Sequence, residues 1–103
     1  MSLTNSRLAY KREFDLMDTA LKEEKGARAL GGSEGEARNL RMRMHQARQL
    51  DRRLNAKAYP DGHILHGAST YDELIIRLRQ DDEDQWWVYM EKIAETQVVE
   101  AIE

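Results

Sequence analysis

The sequence predicts a mainly α fold, an antiparallel helical hairpin packed by a C-terminal helical unit. Three observations carry that expectation. Apolar residues recur at helical spacing in two long stretches of the first 58 positions. A glycine-rich cluster, Gly31-Gly32-Ser33-Glu34-Gly35, stands between those stretches. A hydroxyl residue followed three positions later by an acidic one, the mark of a helix start, occurs at Ser33 and again at Ser69 and Thr70.

The first helix is expected over residues 4–25. Tyr10, Phe14, Met17 and Leu21 follow one another at steps of four, three and four, and Leu3 falls on the same line. That period makes one buried stripe. The helix ends at Gly26 or frays on through 27–30, and the glycine cluster ends it in either case, because glycine favours turns and connectors.

The second helix is expected to start at Ser33, with Glu36 completing a capping box. Ala37, Leu40, Met44, Ala47, Leu50, Leu54 and Ala58 fall on one arc, and Arg38, Arg41, His45, Arg48 and Arg52 on the adjoining arc. Pro60 ends the helix by disfavouring helical geometry at Tyr59. Two amphipathic helices joined by a short glycine-rich loop read as an antiparallel hairpin over 1–58.

Residues 59–68 form a turn-rich hinge. Pro60-Asp61-Gly62 is a turn signal, and His63-Ile64-Leu65-His66 is too short for a helix. This segment reads as extended, with Ile64 and Leu65 plugged into the core. Residues 69–103 form the acidic C-terminal helical unit. A third helix carries Leu74, Ile75 and Leu78 on its apolar face. The run Asp81-Asp82-Glu83-Asp84 suits the start of a fourth helix, where carboxylates meet the helix dipole favourably. That helix carries Trp86, Trp87, Met90, Ile93, Ala94, Val98, Ala101 and Ile102. The β-branched pair Val98-Val99 leaves room for a terminal strand beside 63–66. A length of 103 residues is one domain's worth of chain.

Composition narrows the function classes. The absence of cysteine excludes disulfides, iron–sulfur clusters and cysteine-ligated zinc. A small cysteine-free chain with no signal-peptide core and no apolar run of about 20 residues is expected in the cytoplasm, of a bacterium or a phage-infected cell, with no membrane contact. The net charge of −3 hides a split: residues 36–57 hold seven basic and two acidic side chains, and residues 58–103 hold three basic and eleven acidic. Such segregation serves internal pairing or separate partners.

Arg41, His45, Arg48 and Arg52 are the candidate anion or nucleic-acid contacts, because a guanidinium row suits phosphates. The surrounding acidity and the lack of a recognised docking motif weigh toward a carboxylate-paired helix face instead. Trp86, Trp87 and Tyr89 are the candidate protein interface, since adjacent helical residues point about 100° apart and one indole is left over from the core. His63 and His66 have a spacing that metal ligands use, yet lack a third ligand, so no metal or other cofactor is expected. Ser69, Tyr71, Asp72 and the histidines do not set a nucleophile beside a base, and no enzyme is expected.

Short, cysteine-free, helical and charge-segregated, the chain resembles small accessory proteins of tailed bacteriophages as a class, with no run of residues to carry a functional position over. The sequence thus predicts a non-catalytic protein-interaction component whose partner is itself or a foreign protein, and a homo-oligomer, most simply a twofold dimer with Trp86 or Trp87 in the contact. The alternative is a nucleic-acid-binding accessory protein that uses the Arg-rich helix 36–57.

Overall fold

The structure, a computed structural model, describes residues 7–93. It is α+β and not mainly α: two helices pack against a three-stranded antiparallel sheet. In chain order the elements are α1 (Lys11–Lys22), β1 (Gly26–Gly32), α2 (Glu34–Ala58), a 3-10 turn (Thr70–Glu73), β2 (Leu74–Gln80) and β3 (Trp86–Lys92). The sheet order is β1-β3-β2, so β3 is central.

α2 forms where its spacing places it. Ser33 Oγ accepts from Glu36 N at 3.2 Å, and Ala37, Leu40, Met44, Ala47 and Leu50 are buried. Within the described part of the expected 4–25 helix, α1 covers Lys11–Lys22, and Phe14 and Met17 of its stripe are in the core. Arg7 reaches Asp51, Tyr10 reaches Gln46 and Arg43 reaches Glu13, so the two segments run past each other in opposite senses.

They are nevertheless not a helical hairpin, because β1 and not a loop separates them. Where a fraying helix or a connector was expected, Gly26–Gly32 pairs with β3. Its glycines are demanded by contact. A Cβ at Gly26 would lie 2.0 Å from the Met90 carbonyl oxygen, and φ there is +95°. A Cβ at Gly31 would lie 2.6 Å from the Ala37 Cβ. Glycine lets the strand approach its neighbour and the following helix.

The third and fourth helices are strands β2 and β3. In β2, Leu74 and Ile76 are buried while Ile75, Arg77 and Arg79 are exposed, a period of two. β3 alternates likewise, burying Val88 and Met90. Aromatic and β-branched residues fit a pleated surface better than a helix. The capping box at Ser69 is real but opens only a 3-10 turn. The acidic run is the hairpin turn, closed by Asp81 N donating to Gln85 O at 2.9 Å and by Asp84 at φ 64°.

The hinge is also corrected. Residues 63–66 lie in successive turns, and Ile64 is 86% exposed, so it plugs nothing. Leu3 and the proposed strand at Val98-Val99 lie outside the described residues. Both helices cover one face of the sheet, and the core of Phe14, Met17, Leu40, Met44, Val88 and Met90 sits between.

Candidate binding surface on the open sheet face

The register fixes which side chains share the sheet's outer face. Tyr89 stands between Arg28 of β1 and Arg77 of β2, and Trp87 stands between Leu30 and Arg79. Ile75 and Glu91 form the next row. Their inward neighbours Ala29, Ile76, Val88 and Met90 are buried. Arg28, Leu30, Ile75, Arg77 and Arg79 are exposed, while Trp87 and Tyr89 are half-buried.

These groups form an arginine–aromatic ladder. The Arg28 guanidinium lies 3.8 Å from the Trp87 ring centroid and donates to the Tyr89 hydroxyl at 3.2 Å. Arg79 lies 5.0 Å from the Tyr89 ring. Stacking on a ring face is favourable for a guanidinium and holds both partners in one arrangement. Arg79 also lies 3.2 Å from Glu91 Oε1, a charge contact without hydrogen-bond alignment.

The hairpin turn fixes Trp87 from its end. Asp81 Oδ2 accepts from the indole Nε1 at 2.7 Å, while Oδ1 accepts from Glu83 N and Gln85 N, both at 2.9 Å. The indole hydrogen bond, followed by those backbone bonds, holds the Asp81 carboxyl below the usual carboxylate range.

The three residues of the expected interface are therefore split. Trp87 and Tyr89 share the outer face. Trp86 packs against the core from the inner side. In a strand, neighbours point to opposite faces, which resolves the placement of adjacent tryptophans. Arg28 and Arg79 were missed as partners of the two rings. The alternation Ile75, Arg77, Arg79 was the available signal.

The candidate row on α2 is split as well. Arg52 bonds Asp72, and Arg48 donates to the carbonyls of Tyr71 at 3.1 Å and Leu74 at 2.9 Å. With its side chain 13% exposed, Arg48 is a tie between α2 and the start of β2. Its other nitrogen lies 2.9 Å from His45 Nδ1. Arginine only donates, so Nδ1 accepts and a neutral His45 carries its proton on Nε2. Burial, then Arg48, Arg41 and Arg52, lowers the His45 pKa. Burial raises the Asp72 carboxyl, but the Arg52 and Ser69 hydrogen bonds outweigh it and leave a lowered value. Arg41 lines an open groove of about 660 Å³ with Arg38, His45 and Leu78.

The remaining polar candidates hold the fold together. His63 Nδ1 accepts from Leu65 N at 3.0 Å and its ring stacks on Tyr59, while His66 Nδ1 lies 2.8 Å from Tyr59 O. Ser69 Oγ donates to the buried Asp51 at 2.6 Å, and the Tyr71 hydroxyl donates to Asp18 at 2.6 Å. Burial, followed by that hydrogen bond, raises the Tyr71 pKa. Among the described residues no group of three or more His, Asp or Glu side chains could hold a metal ion, and no helix is long and apolar enough to cross a membrane. Comparison of the chain with family models, with curated proteins and with solved structures finds no match.

Proposed function

We propose that the protein is a non-catalytic binding module that docks a foreign protein on the open face of its sheet. One observation carries this reading: Trp87, Tyr89, Arg28 and Arg79 form a fixed ladder on the sheet face opposite both helices. Tryptophan, tyrosine and arginine are the residues most enriched at interface hot spots. Here they are held by neighbouring side chains, which lowers the ordering cost of binding. A twofold self-contact through this face would set Arg28, Arg77 and Arg79 against the same arginines, so charge favours a different partner. The cysteine-free core needs no oxidising compartment, and the reading places the protein in the cytoplasm, as an accessory component of phage or mobile-element type.

Nucleic-acid binding through α2 has less support, because Arg48 and Arg52 are already committed to Leu74, Tyr71 and Asp72. The test is affinity capture from the native host with the parent chain and with the Trp87→Ala, Arg28→Ala double variant. A protein retained by the parent and lost from the double variant supports the reading. Equal recovery on both contradicts it.

A further inference from the structure

The edge of β2 away from β3, unpaired among the described residues, is a second surface, distinct from the sheet face. Its unpaired groups follow from the register. Ile93 N donates to Glu73 O at 3.0 Å, and Asp81 N donates to Gln85 O at 2.9 Å. The bonded pairs of the antiparallel ladder between these ends are Ile75 with Glu91, Arg77 with Tyr89 and Arg79 with Trp87. The backbone groups of Leu74, Ile76, Leu78 and Gln80 therefore point away from β3, to an edge that no other described strand pairs.

Arg48 shows what this edge accepts. It donates to the Leu74 carbonyl, the first outward group of the edge, at 2.9 Å. The arginine side of α2 thus runs along β2, with Arg48 at Leu74 and Arg38, Arg41 and His45 beside Leu78 across the open groove. No carboxylate is among the described residues lining that groove, and Arg38 is already paired with Glu34 at 2.7 Å, so Arg41 is the groove's arginine for an incoming carboxylate. On the other side of the edge, Arg77 and Arg79 stand on the outer face.

We infer that the β2 edge and the groove beside α2 take an extended, acidic segment of a partner protein, added to the sheet as a fourth strand. Strand addition supplies main-chain hydrogen bonds to Ile76, Leu78 and Gln80, and side chains on alternate positions reach the two sides. Carboxylates on the helix side meet Arg41, and those on the outer side meet Arg77 and Arg79. The same arginines disfavour pairing with β2 of a second copy, whose edge carries the same charge. Both complementarities, of hydrogen bonds and of charge, select one kind of occupant.

The probe is a fluorescent peptide of repeating Glu-Glu-Val-Val, which sets carboxylates on both sides of an extended strand, titrated into the full chain at low salt. Binding is expected, with a loss of at least tenfold in Arg41→Glu and in a peptide N-methylated on alternate residues. The amides of Ile76, Leu78 and Gln80 should gain protection from hydrogen exchange in the complex. Trp87→Ala should leave peptide affinity within twofold, which separates this edge from the sheet face. No binding, or equal binding of the N-methylated peptide, overturns strand addition. Equal affinity for single-stranded oligothymidylate, lost in the same Arg41→Glu variant, overturns the peptide assignment.

Discussion

The two faces of the sheet use the same residue types to opposite ends. On the inner side, charged groups are consumed in holding the helices. Glu13, 2% exposed, takes Arg43; Asp51 takes Arg7 and the Ser69 hydroxyl; Arg48 takes two carbonyls at the start of β2. On the outer side, Arg28 and Arg79 lie on aromatic rings that no helix among the described residues covers. An arginine counted in sequence says little about binding. What matters is whether the fold has already engaged its guanidinium.

If the inner face carries stability and the outer face carries binding, substitutions on the two should separate. The largest effect is expected at Phe14, which is buried, packs 5.6 Å from the Tyr71 ring and has Arg7 over its face at 4.4 Å. Phe14→Ala should cost about 3–5 kcal/mol in a denaturant melt. A change under about 1 kcal/mol would mean that this ring is not in the core.

A smaller cost is expected where the sheet itself is assembled. Gly26→Ala places a methyl against the Met90 carbonyl at a positive φ, so β1 must shift off β3. The expected destabilisation is about 1–3 kcal/mol, with faster amide exchange along β1. Unchanged exchange in β1 would show that the strand does not need this close approach.

The pH response comes next. The His45 pKa lies below its ordinary 6.5, mainly through burial and then through Arg48, Arg41 and Arg52. Above pH 6.5 both the folded and unfolded states hold this ring neutral, and its contribution to stability is fully present. As pH falls below that value the unfolded state takes the proton first, so stability declines until the folded-state pKa is passed. His45→Gln should flatten this part of the stability profile, followed by melts between neutral and mildly acidic pH. A profile identical to the parent's would mean that the ring is not held neutral beside Arg48.

The helices were legible because each carries a sustained stripe, to which α2 adds a start signal at Ser33 ahead of Leu40, Met44 and Ala47. β1 was not: Gly-Ala-Arg-Ala-Leu-Gly-Gly has the composition of a connector, and only the approach of Met90 and Ala37 explains its glycines. β2 and β3 were misread although their alternation was visible. Capping signals at Ser69 and an acidic run at Asp81 resemble helix starts, yet here they serve a 3-10 turn and a hairpin turn. Of the candidate interface, Trp87 and Tyr89 were legible as aromatics in excess of the core. The split of Trp86 from Trp87 required the strand period. Arg28 was hidden because it comes from a strand 61 residues away from Tyr89.

On this reading the outer face binds without supporting the fold. That separation is tested most directly at Trp87, by titrating the partner captured from the host into the parent and into Trp87→Ala, alongside denaturant melts of both. Loss of the indole removes its stacking with Arg28 and its bond to Asp81. Stability should fall by about 1 kcal/mol or less, as for an exposed cation–π contact, and affinity by at least tenfold. Unchanged affinity, or a loss of stability as large as that of Phe14→Ala, would contradict that reading.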